Sequence, residues 1–218
     1  MSEDVDGGWP TGAGDPVLLS SGDRVTIRPL RRRDGPGLVA MVDGLSAESR
    51  YRRFHTGLPH LTHAMVDYLT AIDHHDHEAM VAITPGSAEL IGVARFVRDK
   101  QRVDAAELAV VVADAWQRRG VATALLTALA QRAAELGISE FTADVQTTNG
   151  PTFGLIDQFD KDAEIAWDGS TANAHVHNLA WRPAAEPTGR SVLRRFAAIA
   201  SPGEGAAGEP GVGRATSA

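Results

Sequence analysis

A chain of 218 residues, 43% of them apolar, suffices for one well-cored domain with tails and is short for two. It contains no cysteine, which excludes disulfide scaffolds, thiolate metal sites and a cysteine nucleophile. A net charge of −7 argues against nonspecific nucleic-acid binding, and neither a secretory leader nor a run of eighteen apolar residues is visible, so a cytoplasmic protein with no membrane or nucleic-acid partner is expected.

Residues 1–22 are rich in Gly, Asp, Ser and Pro without periodicity and read as a disordered arm. Arg24 to Arg28 alternates polar and apolar residues, as a first strand would, and Pro29 closes it. Asp34 is placed to cap a helix over about residues 35–43. The segment SAESRYRRF, from Ser46, predicts a short helix, and Thr62 caps another with Met65, Tyr68 and Leu69 on one side.

Ala79–Thr84 and Leu90–Val97 form an antiparallel pair around Pro85-Gly86. The run Ala106–Val112 is nearly all apolar, as in a central strand covered on both faces. Val121, Leu125, Leu129, Ala133 and Leu136 recur every three or four residues, the stripe of a core-facing helix, which Gly137 ends. Ile138–Gln146 then reads as a strand, and the short helix-to-strand interval makes it parallel to Ala106–Val112. Asn149-Gly150-Pro151 opens a two-turn helix, and a final hairpin turns around Asp168-Gly169-Ser170. The domain therefore spans residues 23–182, followed by a tail at 183–218 with an amphipathic helix over about 190–200.

The turn Gln117-Arg118-Arg119-Gly120-Val121-Ala122 stands at the start of the long helix. Unpaired N–H groups and the positive end of the helix dipole make such a turn an anion site. Gly120 would let a phosphate approach the backbone, and Arg118 and Arg119 add charge suited to phosphate oxygens. Neither G-x-G-x-x-G after a strand nor G-x-x-x-x-G-K-[ST] occurs, which disfavours a Rossmann dehydrogenase and a P-loop hydrolase.

Strand, Gln117-x-x-Gly120-x-Ala122 turn, long helix, strand and then Asn149 at a short helix together resemble the GNAT N-acetyltransferase superfamily, over about Val25 to Asn178. More narrowly, SAESRYRRF, the segment Asp73 to Ala79 and Ala106-Glu107 resemble the acetyltransferase domains of bacterial protein lysine acetyltransferases. The resemblance implies a mixed α/β sheet that splays open beside its central parallel strands, with flanking helices. It also implies acetyl-CoA as co-substrate and a protein lysine acceptor, such as one on an acyl-CoA synthetase. By the same resemblance the main chain of Val110, Val111 and Val112 would pair with the pantetheine amides. Gln117, Arg118, Arg119, Gly120, Val121 and Ala122 would hold the pyrophosphate, Asn149 would contact the pantetheine end, and Glu107 would be catalytic. Many relatives place a tyrosine a few residues after the asparagine to protonate the leaving thiolate. Here that segment is Pro151 to Leu155, and the general acid is unassigned.

An amine nucleophile must lose its proton before attacking a thioester, so a nearby carboxylate base is useful. Glu107 opens an apolar run whose burial would favour its protonated form and improve it as a base. With no cysteine, direct transfer in a ternary complex is preferred to an acyl-enzyme. A small-amine acceptor and a non-catalytic acyl-CoA-binding regulatory module are the alternatives. Arg50, Arg52, Arg53 and Tyr51 are candidates to meet an acidic partner surface or a cofactor phosphate. His175 and His177 are candidates for the acceptor cleft. Asp73–Glu78 offers metal-ligand types, yet adjacent loop residues seldom converge on one ion, and no metal is expected.

Overall fold

The structure, a computed structural model, describes residues 14–55 and 59–177. Its strands are β1 (Asp15–Leu18), β2 (Arg24–Pro29), β3 (His77–Ile83), β4 (Leu90–Arg98), β5 (Ala105–Val112), β6 (Glu140–Gln146), β7 (Glu164–Asp168) and β8 (Thr171–His177). They join in one mixed sheet in the order β1-β2-β3-β4-β5-β6-β8-β7. The β5–β6 pair is parallel and every other pair antiparallel, so the βαβ unit expected from the short helix-to-strand interval is present. The helices are α1 (Gly35–Asp43), α2 (Ala47–Phe54), α3 (His63–Thr70), α4 (Val121–Glu135) and α5 (Gly150–Phe159). Among the described residues no helix is long and apolar enough to cross a membrane.

The two faces of the sheet are covered differently. On one face the α4 stripe of Val121, Leu125, Leu129 and Ala133 packs on Ile27, Met80, Ala94 and Phe96, with Phe96 edge-on to Phe141 of β6. Gly92 lets α4 come this close: a methyl group there would lie 3.0 Å from Leu125 Cδ1 and 3.2 Å from Val121 Cγ1. On the other face Leu38, Met41 and Val42 of α1, with Met65 and Leu69 of α3, cover Ala79, Val81, Val93 and Val111. Glu78 of β3 ties α4 to the loop that precedes β3. Its carboxylate is 1% exposed and accepts from Arg132 Nε at 3.2 Å and the Ala79 N–H at 3.0 Å, while His74 Nδ1 lies 3.0 Å away.

Capping follows the sequence where the chemistry is local. Ser46 Oγ accepts from the Ser49 N–H at 3.1 Å and Thr62 Oγ1 from the Met65 N–H at 3.3 Å. Asp34 does not cap α1 through its side chain. Instead its carboxylate is held by both Arg28 terminal nitrogens, at 2.6 and 2.7 Å, and by the Arg31 N–H at 2.8 Å.

One segment departs from the sequence reading. Part of the stretch read as a disordered arm over residues 1–22 is strand β1, paired with β2 from Asp15 opposite Ile27 to Leu18 opposite Arg24. Four residues of edge strand carry no periodic signal, and a nonlocal ladder together with the buried Leu19 anchors them. The chain divides into two units at Pro183. The described residues lie in the first, and the expected helix over about 190–200 lies outside them.

Candidate active site

The sheet opens because β5 keeps one neighbour and loses the other. β5 pairs with β4 from Ala106 opposite Arg98 to Val112 opposite Gly92. It pairs with β6 only at Ala105, Ala106 and Glu107, opposite Glu140, Phe141 and Thr142. Beyond Glu107 the two parallel strands part, and α5 follows from the far bank. The main chain after Glu107 thus has one side free of a strand partner among the described residues. An extended ligand carrying amides could join it there as another strand.

Two adjoining cavities occupy the gap. The first, of about 330 Å³, is lined by Arg53, Glu107, Leu108, Val110, Asp144 and Asn149, among others. The second, of about 400 Å³, runs past Val110, Val111 and Val112 to Gln117, Arg118, Gly120 and Ala122. Arg52, Arg53, Val110, Asn149, Thr152 and Leu155 line both, so one elongated ligand can reach from the turn to Glu107.

The turn before α4 is built for exposed backbone. Arg118 has φ 58° and Gly120 φ 94°, left-handed values in the two residues that flank Arg119 just before α4. The N–H groups of Val121, Ala122 and Thr123 have no helical carbonyl behind them and stand at the positive end of a fifteen-residue helix. The side chains play narrower roles than the sequence implied. Arg118 is exposed and lines the cavity. Arg119 turns away, pairing with Asp23 at 2.7 Å and stacking 4.4 Å over the Trp116 ring. Val121 is 1% exposed and belongs to the core, so only its main chain faces the turn. Gly120 is needed for its positive φ; a Cβ there would also lie 2.8 Å from Ser20 Oγ, the end of an exposed side chain that can turn aside, and 3.3 Å from the Ser20 backbone nitrogen.

The Gln117 amide is spent inward. Its Nε2 donates to Asp114 Oδ1 at 2.9 Å, to Ser49 Oγ at 3.1 Å and to the Val112 carbonyl at 3.2 Å. Asp114 is the hub of this contact. It also accepts from the Ser46 N–H at 2.6 Å and from Ser49 Oγ at 2.5 Å, so it fastens the start of α2 to the turn. Burial would push the Asp114 carboxyl up, but the hydrogen bonds from Ser49 and Ser46 outweigh it and hold it below the usual value. No local pattern joins Asp114 to Ser49, sixty-five positions away in the chain.

Glu107 stands at the point where the strands diverge. It is exposed to the cleft rather than buried among its apolar neighbours. The Arg53 guanidinium faces it from α2. Burial lowers the pKa of Arg53, and the Glu107 charge works against that shift. Behind Arg53 lies Arg95, 5% exposed, whose terminal nitrogens donate to His77 Nε2 and to the Leu69 carbonyl, each at 3.2 Å. Burial first, then the neighbouring Arg53 charge, brings Arg95 down to about 10.

Of the other candidates, Arg52 and Arg53 line the cleft, Arg50 donates to the Asp43 carbonyl at 3.3 Å, and Tyr51 is exposed outside the cleft lining. His175 and His177 lie on β8, outside the lining of both cavities. Phe153, in the segment where many relatives carry a tyrosine, is 2% exposed and stacks on Trp167 at 5.1 Å. Asp73 Oδ1 accepts the N–H groups of His75, Asp76 and His77, which organises that loop. Among the described residues no group of three or more His, Cys, Asp or Glu is placed to hold a metal.

The sheet is thus split beside its central strand, with the helix N-terminal turn at one end of the cleft and the Glu107 carboxylate at the other. The chain belongs to the acetyltransferase (GNAT) family, whose profile matches residues 39–159. It is 33% identical over 134 residues to acetyltransferase Pat of Mycolicibacterium smegmatis, covering 62% of this chain and 40% of that protein. To acetyltransferase PA5475 of Pseudomonas aeruginosa it is 31% identical over 110 residues, covering 50% of this chain and 59% of the other. The chain therefore spans between two fifths and three fifths of these relatives. The crystal structure of the GNAT domain of S. lividans PAT superposes with a TM-score of 0.70 at 28% identity, over 78% of this chain and 99% of that one. An acetyltransferase fold from Salmonella typhimurium solved with its cofactor acetyl-CoA is alike in fold at 16% identity, with a TM-score of 0.57 over 74% of this chain and 98% of that one.

Proposed function

We propose that the chain transfers the acetyl group of acetyl-CoA to a lysine amine of a protein, by direct attack within a ternary complex. The observation that carries this reading is the position of Glu107 where β5 and β6 part, at the end of a cleft that begins at the α4 turn. The backbone of Val110, Val111 and Val112 would take the pantetheine amides as a strand, the Val112 carbonyl keeping one lone pair beside its bond from Gln117. The N–H groups at Gly120–Thr123, with Arg118 at the rim, would hold the pyrophosphate, and Asn149 would meet the pantetheine where both cavities join. Glu107 takes the proton from the acceptor ammonium, directly or through a water. The free amine bonds to the thioester carbon, the carbon–sulfur bond breaks, the nitrogen gives up its second proton to solvent water, and the thiolate takes a proton from solvent. Likeness to Pat and to the S. lividans domain favours a protein acceptor, an acyl-CoA synthetase being the class the resemblance points to.

The test is thiol release from acetyl-CoA with a lysine-bearing acyl-CoA synthetase as acceptor. Glu107→Gln is expected to lower kcat by about 10²-fold or more while acetyl-CoA affinity is kept. Unaltered turnover in this variant overturns the base assignment. Wild-type release with small amines but not with protein overturns the acceptor.

A further inference from the structure

We propose that the uncovered polar face of β6, β8 and β7 docks a basic polypeptide segment, which carries the acceptor lysine along it into the cleft. The inference rests on the transferase reading and names the kind of acceptor sequence that site would prefer. Register places the surface. On β6 and β8, Thr142 lies opposite His175 and Asp144 opposite Asn173, while on β7 Glu164 lies opposite His175 and Asp168 opposite Thr171. Residues directly opposite share a face, so these side chains stand together. The alternate residues Phe141, Val145 and Val176 are buried on the other face. Helices α1 and α3 cover this first face only over β3 to β5, and among the described residues no helix covers its β6, β8 and β7 part.

The face continues into the cleft without a step, because Glu107 lies opposite Thr142 and so on the same side as Asp144. Its charge is one-sided. Glu107, Asp144, Glu164 and Asp168 are all exposed carboxylates. Glu140, the remaining acid on this face, is met by Arg102 and by His177 at 3.8 Å. The other titratable group is His175. Asp144 is held in place by Asn173 Nδ2 at 2.8 Å and also lines the first cavity, beside Glu107. Three strands of five to seven residues make a strip about 10 Å wide and about 20 Å long, the footprint of several extended residues rather than of one small amine. Each exposed pair across such a surface contributes little alone. Together the carboxylates steer a cationic segment and make its binding salt-dependent. Arg52 and Arg53 of α2 line the cleft opposite this face, at the end where the acceptor lysine would enter.

Two fluorescent peptides with one central lysine provide the probe, one flanked by arginines and one by glutamates. Their Kd values for the full chain are read by anisotropy at low and high salt, and thiol release is followed in parallel. The arginine-flanked peptide is expected to bind at least about tenfold tighter at low salt, with the preference shrinking as salt rises. The double variant Glu164→Lys/Asp168→Lys should abolish the preference while leaving KM for acetyl-CoA and turnover of N-acetyl-lysine amide unchanged. Equal binding, tighter binding of the glutamate peptide, or an unaffected double variant overturns the proposal. So does arginine-peptide binding that emerges only after residues 184–218 are removed, which assigns the face to the chain's own arginine-bearing tail. Loss of all thiol release with the binding preference intact refutes the transferase reading and leaves the docking face standing.

Discussion

His77 is 8% exposed and cannot take a proton on Nε2 without losing the Arg95 hydrogen bond received there. Because arginine only donates, His77 is the neutral ring with its proton on Nδ1, directed at the Ala71 backbone. Burial first, then the Arg95 charge, lowers its pKa below 6.5, against the weaker pull of Asp73 and Glu78. The unfolded chain therefore binds this proton more readily than the folded one. The stabilisation is present above pH 6.5 and is lost as pH falls through the folded pKa, at no more than about 1.4 kcal/mol per pH unit. Denaturant midpoints measured between pH 7.5 and 5 should fall with pH in the wild type and fall less in His77→Gln. Parallel slopes would show that another group titrates. At this scale the sequence was most legible where a residue acts through its own backbone position. Glu107 and Val110 could be placed by counting along a strand, whereas the exposure of Glu107 depends on where a neighbouring strand diverges. No local pattern encodes that divergence.

The turn leading into α4 shows the same division at the level of an element. Its location, its glycine and the stripe after it are written in consecutive residues, and all three are found in the structure. The inward direction of Gln117 and the outward turn of Arg119 come from Ser49 and Asp23, which are remote in sequence. Gly120→Ala separates fold from binding here. With φ at 94° and Ser20 Oγ at 2.8 Å from the added methyl, the variant should lose about 1–3 kcal/mol of stability. The midpoint of thermal unfolding should fall by several degrees even without ligand. A loss of acetyl-CoA affinity with an unchanged midpoint would instead give the glycine a purely ligand-facing role.

For the whole molecule, alternation located β2 and β6, apolar runs and turn residues located β3, β4, β5 and the β7–β8 hairpin, and the parallel pair followed from the brevity of the α4–β6 connection. Strand β1 escaped because its stability comes from β2 and from the Leu19 anchor rather than from its own composition. The same nonlocality hid the polar face beside the cleft. Asp144 and Glu164 are ordinary alternating residues until sheet order brings their strands together around β8.

The three residue pairs that join β5 to β6 have a further consequence, for cooperativity. They form a thin hydrogen-bonded seam between the β1–β5 part of the sheet and the β6–β8–β7 part, which are otherwise joined through the shared core of Phe96, Phe141 and Val176, and the latter part is expected to open more readily. Amide hydrogens of β6 and β8 should exchange through openings of lower free energy than those of β3 and β4. A molecule that hydrogen-bonds to β5 and touches α5 staples the two parts together, and by mass action it adds about 2.7 kcal/mol at a hundredfold excess over its Kd. Saturating coenzyme A should therefore slow exchange in β6 and β8 more than in β3 and β4. Uniform protection along the chain would mean that the sheet opens as one piece.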